Sequence, residues 1–181
     1  MDVINNNGDL SNTPVHFLAV WLEQQQKASS PPNWKGGWER WAQGQVALYM
    51  DNTSGYVVWP EEKIYADYPA EACDLDFAKS GVHTFCELKC YSAVNDDTPN
   101  TFLNNIEADF QKVQTPLVAQ YKGSALWVIG LSQKQFRDAI IAEGQNHPFW
   151  QNFGYVSVKA PGSWESTSTF DIWYWKYVNN N

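Results

Sequence analysis

The sequence predicts an α/β fold, a mixed central sheet with helices on its faces. Three observations point there. Apolar residues recur at helical spacing through the first fifty positions, the period switches to two from Tyr56, and helical and extended stretches then alternate to the end. A chain of 181 residues suits a single domain that buries a large core without disulfides or structural zinc.

The first helix is expected from about Pro14 to Lys27. Thr13 can cap it, proline suits its first turn, and Val15, Leu18, Ala19 and Leu22 form its apolar stripe. Ser29-Ser30-Pro31-Pro32 breaks the chain. A second helix follows from about Trp34 to Met50, with Asn33 as its cap. Trp38, Trp41, Ala42, Gln45 and Leu48 share one side, while Glu39, Gln43, Val46 and Met50 form the neighbouring stripe.

Two strands are then predicted, Tyr56–Trp59 and Lys63–Tyr65, separated by Pro60. Ala72–Ala78 and Val82–Tyr91 form a strand pair across the Gly-containing loop Lys79-Ser80-Gly81. The polar stretch Asn95–Asn100 leads into a third helix, about Thr101–Gln114, with Phe102, Ile106, Phe110 and Val113 inward. Ser124–Leu131 is an apolar strand, Gln133–Glu143 a helix stopped by Gly144, and Tyr155–Ala160 and Thr169–Tyr177 the last strands. No internal repeat and no long linker divides the chain.

Twelve basic against twenty acidic side chains leave a net charge of −8. That argues against polyanion binding through bulk basicity and leaves room for an acidic site that holds a divalent cation. No apolar run approaches a membrane span, and Met1–Leu10 has no basic flank or apolar run of a signal peptide. A cytoplasmic or nuclear protein with no membrane attachment is expected. Cys73, Cys86 and Cys90 are odd in number and lack C-x-x-C spacing, which fits reduced, buried thiols better than a disulfide or zinc site. His16, His83 and His147 show no ligand spacing; His83 shares a strand face with Glu87. The ten tryptophans read mainly as core, with Trp34, Trp38 and Trp41 an alternative stacking surface and Trp173-Tyr174-Trp175 an edge or oligomer contact.

The chemistry concentrates in Asp74-Leu75-Asp76 and Glu87-Leu88-Lys89. Strand alternation puts Asp74 and Asp76 on one face, and Glu87 and Lys89 together on the next strand. The three cysteines are expected on the opposite, packed face. Paired carboxylates suit a hard Mg²⁺ or Mn²⁺ ion with positions left for water and a phosphate oxygen. A lysine two residues from such a ligand can orient or deprotonate the attacking water and offset developing charge. A lysine in mid-sheet is also poorly placed to remain unpaired. Either Asp74 or Asp76 could be the ligand.

Asp74, twelve intervening residues and Glu87-x-Lys89 resemble the core of the PD-(D/E)XK nuclease superfamily, with its restriction-endonuclease-like fold. Glu39 on the preceding helix, Gln43 one turn on, and a following helix with Asp109 and Lys112 add to the resemblance, which covers about residues 33–131. It leaves 1–32 as an N-terminal helix and linker and 132–181 as a C-terminal extension with extra strands. Cys73 stands where the family motif would have proline.

The resemblance implies a Mg²⁺- or Mn²⁺-dependent nuclease, with DNA favoured over RNA. It makes Asp74 and Glu87 metal ligands, with the Leu88 carbonyl as a third contact, and Lys89 the water-positioning or general-base residue. Glu39 binds a second metal or orders water, Gln43 assists, and Lys112 meets a substrate phosphate while Asp109 orients it. Asp76 then becomes a supporting or solvent-facing acid. The acidic balance leaves recruitment to a protein partner or a homodimer. The alternative is a module on the same fold that cuts nothing and acts through protein partners.

Overall fold

The computed structural model describes residues 2–4, 9–24, 38–160 and 169–178. Seven strands form one sheet: β1 (Asp2–Ile4), β2 (Val57–Glu62), β3 (Cys73–Lys79), β4 (Val82–Cys90), β5 (Ala125–Gln133), β6 (Gly154–Lys159) and β7 (Thr169–Val178). Their order across it is β1-β6-β7-β5-β4-β3-β2. Only β4 and β5 run parallel among these pairs; the others are antiparallel. Parallel neighbours need a crossover, and the chain makes it through α3 (Pro99–Lys112). The protein is thus α/β with a mixed sheet flanked by helices.

Helices α1 (Pro14–Gln24) and α2 (Glu39–Thr53) pack on one face, α2 over β2–β4 and α1 over β6 and β7. Their core includes Leu18, Trp21, Trp38, Val46, Leu75, Phe77, Cys86 and Leu88. On the other face α3 covers β4 and β5 and packs against α4 (Arg137–Gly144). Phe85, Phe102, Leu103, Ile106, Val128, Trp173 and Trp175 fill that core. Gly130 lets α3 come close: a Cβ there would lie 2.8 Å from Phe102 and Ile106.

The expected Thr13 cap is present, its hydroxyl accepting from the His16 amide at 3.4 Å. The start of the second helix at Trp34 and its Asn33 cap lie outside the described residues, as do 25–27 of the first. In α3 the cap is Thr98, with Pro99 in the first turn, so this helix begins two residues before the expected Thr101. The hairpin joining β3 and β4 has two loop residues, Ser80 (φ 53°) and Gly81 (φ 79°), both left-handed as the favoured tight hairpin turn requires.

Other expectations need correction. Tyr56–Trp59 and Lys63–Tyr65 are not two strands: β2 runs through Pro60, which is tolerated because β2 is an edge strand. Tyr65 makes an isolated bridge with Leu117 instead. A short β1, unsigned in the Asn-rich N-terminus, pairs with β6. The Trp173-Tyr174-Trp175 run is no edge or oligomer contact, since β7 lies between β5 and β6 and all three side chains are buried. Trp38 is fully buried and cannot offer a stacking face, Trp41 packs beside Trp21, and Trp34 lies outside the described residues.

All three cysteines are free and buried. Cys86 and Cys90 belong to the core under α1 and α2, as expected, but Cys73 belongs to the α3-side cluster with Tyr65 and Phe85. The β3–β4 ladder ends at Leu75↔Cys86, and Cys73 beyond it pairs only with Glu62 of the edge strand β2 among the described residues. No helix among the described residues is long and apolar enough to cross a membrane.

Candidate functional site

The hairpin register brings Asp74 beside β4 where the two strands part. Instead of continuing the ladder, the Asp74 carboxylate accepts from the Leu88 amide at 2.7 Å. Glu87 and Lys89 follow on β4 and face the α3 side of the sheet, Lys89 paired with Gly130 of β5.

Trp38 positions Glu39. Its buried indole N–H donates to the Tyr91 carbonyl at 3.0 Å, pinning the start of α2 to the end of β4. The Cys90 amide then donates to Glu39 Oε2 at 3.3 Å, and Lys89 Nζ lies 3.5 Å from Oε1. From the other layer, α3 delivers Asp109 and Lys112 one helical turn apart.

The Lys89 ammonium is the meeting point. It lies 3.0 Å from Asp109 Oδ2, 3.5 Å from Glu39 and 3.8 Å from Asp74, and donates to the Leu88 carbonyl at 3.3 Å. The Asp109 contact is an ion pair without the alignment of a hydrogen bond. Glu87 is held separately. Its Oε1 accepts from the Tyr65 hydroxyl and lies 2.9 Å from Lys112 Nζ, which is also 3.7 Å from Asp109 and 3.9 Å from Glu71. Glu87 Oε2 is buried with no hydrogen-bond partner among the described residues.

Five carboxylates therefore share two ammonium groups, in surroundings that range from 1% exposed at Glu87 to 53% at Glu71. The electrostatics follow. Burial pushes Glu87 up to about 8, Asp74 and Asp109 add to the rise, and Lys112 and Tyr65 oppose it. Burial likewise raises Glu39 to about 6, against the pull of Lys89. Asp109 is also raised by burial despite both lysines. Burial disfavours the Lys89 ammonium, but Asp109, Glu39 and Asp74 outweigh it and hold its pKa above the ordinary lysine value. Lys112 is raised in the same way, chiefly by Glu87.

The expected constellation thus assembles with its partners exchanged. Glu39, Asp74 and Asp109 surround Lys89, whereas Glu87 pairs with Lys112. Lys112 is engaged by carboxylates rather than free to meet a phosphate, and Asp109 serves both lysines. Gln43 is buried one turn beyond Glu39 and takes no part in the cluster's hydrogen bonds or ion pairs among the described residues. Asp76 is not solvent-facing: it is 1% exposed and bonded to His83 Nδ1 at 2.7 Å. His147 pairs with Glu107 at 2.8 Å. Tyr65 was unforeseen as a site residue, because an aromatic in an extended segment carries no signal beyond burial. Also unforeseen was Arg137, which donates through Nε to the fully buried Asp171 of β7 at 2.8 Å, two strands across the sheet from Lys89.

The donors are oxygens, they carry a surplus of negative charge, and two buried carboxylate oxygens, Glu87 Oε2 and Asp109 Oδ2, accept no hydrogen bond among the described residues. These features fit a hard divalent cation. In the present arrangement Lys89 occupies the gap: among the described residues no three His, Cys, Asp or Glu side chains are grouped to hold a metal ion. A cleft of about 260 Å³ adjoins Glu39 and Lys89, with Arg40, Ser92, Asn95, Asp97 and Asn105 on its polar walls.

Comparison with family models, with curated proteins and with solved structures found no match.

Proposed function

We propose that this protein is a divalent-cation-dependent nuclease, hydrolysing phosphodiester bonds of DNA in preference to RNA, on a restriction-endonuclease-like form of its α/β fold. The observation that carries the reading is the gathering of Glu39, Asp74, Glu87 and Asp109, from two strands and two helical layers, around Lys89 and Lys112. The order of parts supports it too. An Asp on β3, Glu-x-Lys on β4, an acid-bearing helix on each face and a parallel strand beside β4 agree with the motif resemblance.

Asp74 and Glu87 would hold Mg²⁺ or Mn²⁺ with the Leu88 carbonyl, and Glu39 would stand beside them. When bound, the cation supplies neutralisation of phosphoryl charge and acidifies water. Lys89, which the surrounding carboxylates hold as an ammonium in the cation-free site, would donate a hydrogen bond that positions the attacking water and would offset negative charge. Arg40 and the asparagines of the cleft suit contacts to the nucleic-acid backbone. A net charge of −8 leaves recruitment to a protein partner or a second copy of the chain.

A second reading, a binding or regulatory module that cuts nothing, has one observation in its favour: Lys89 is already ion-paired to carboxylates on three elements. Plasmid nicking by purified protein separates the two. The nuclease reading expects nicking that needs Mg²⁺ or Mn²⁺, is abolished by Glu87→Gln and falls about 10²–10³-fold in Lys89→Ala. Nicking untouched by both substitutions would reject it, and a wild-type protein that neither binds Mn²⁺ nor nicks would favour the module.

A further inference from the structure

The two oxygens of Glu87 differ sharply in their surroundings. Oε1 takes the Tyr65 hydroxyl and the Lys112 ammonium, the latter at 2.9 Å, whereas Oε2 is buried with no partner among the described residues. Native interiors rarely leave a carboxylate oxygen unmatched. Asp109 Oδ2 in the same cluster also lacks a hydrogen bond but lies 3.0 Å from the Lys89 ammonium, so Glu87 Oε2 is the oxygen that points to a group that arrives later. Tyr65 is itself 1% exposed and anchored. Its ring packs in the cluster of Ile64, Cys73, Phe85 and Leu117, and its backbone is clamped by Ala66 N to Pro116 O at 2.9 Å and Val118 N to Ile64 O at 2.8 Å. Lys112 crosses the same ring, 5.3 Å from its centroid. The hydroxyl adds nothing to this packing that a phenyl ring lacks; its one hydrogen bond among the described residues goes to Glu87.

From this geometry we infer that Tyr65 is a positioning residue which, with Lys112, fixes Glu87 through Oε1 and reserves Oε2 for a divalent cation. The inference rests on reading the acidic cluster as a cation site. Groups that orient a metal ligand from behind cost about 10–100-fold in metal affinity when removed. Tyr65 fits that role because its rigid ring and clamped backbone set the carboxylate's direction, while Lys112 alone would leave a flexible contact.

Calorimetric titration of Mn²⁺ into the full chain tests this, with Glu87→Gln, Tyr65→Phe and 4-methylphenylalanine in place of Tyr65. The last fills the hydroxyl's volume without donating. The expected result is loss of Mn²⁺ binding in Glu87→Gln and about 10–100-fold weaker binding in both Tyr65 variants, with their metal-free unfolding midpoints near that of the wild type. Wild-type affinity in a folded Tyr65 variant, while Glu87→Gln binds nothing, would overturn the positioning role and leave the cation site standing. Unchanged binding in Glu87→Gln would instead remove the cation site itself. Should neither Tyr65 variant fold while Glu87→Gln does, the hydroxyl serves stability and the inference also fails.

Discussion

Glu87 is the residue on which the site's balance turns. It is buried on a central strand and its pKa is pushed up to about 8 from an ordinary value of 4.5. A carboxyl with a raised folded pKa retains a proton that the unfolded chain has already released. Stability contributed by that proton is present at low pH and is lost as pH rises from about 4.5 to about 8. Glu39, raised to about 6, adds to the fall over the lower part of this window. Urea midpoints of the protein in chelator should therefore be lower at pH 8 than at pH 5, and Glu87→Gln should flatten the difference. A midpoint that rises from pH 5 to pH 8, or a difference unaffected by the substitution, would contradict this account. The alternation that sets Glu87 and Lys89 on one face is local and readable, but the choice of Lys112 as partner for Glu87 depends on how α3 lies on the sheet. No spacing within the sequence encodes that choice.

At the scale of elements, two glycine positions set the site. The Ser80-Gly81 turn fixes the β3–β4 register and with it the nearness of Asp74 and Leu88; its chemistry is legible because glycine tolerates a left-handed backbone that other residues resist. Gly130 fixes the height of α3 over β5, next to Lys89, and its meaning is visible only once the helix is in place. A methyl group there would press on the ends of Phe102 and Ile106, both buried, so Gly130→Ala should cost about 1–3 kcal/mol in urea unfolding. Unchanged stability would mean that α3 can lift freely from the sheet. Pro60 and β1 were illegible for a related reason. Proline reads as a break unless the strand is known to be an edge, and three residues become a strand only because β6 is beside them.

The whole molecule is an acidic protein whose aromatic residues are spent mainly on two cores, one on each face of the sheet. Its polar investment lies at the end of β4, where both layers send acids to one strand. The cost of holding so many carboxylates together is met at present by Lys89 and Lys112, and a divalent cation would relieve it further. Whether this place is a cation site is tested by an anomalous-difference map from crystals soaked in millimolar Mn²⁺. The account predicts a peak at metal–ligand distance, about 2.1 Å, from Glu87 Oε2 and an Asp74 oxygen, with the Lys89 ammonium displaced from between the acids. A map without a peak there, and with Lys89 still paired to Glu39, Asp74 and Asp109, would contradict it.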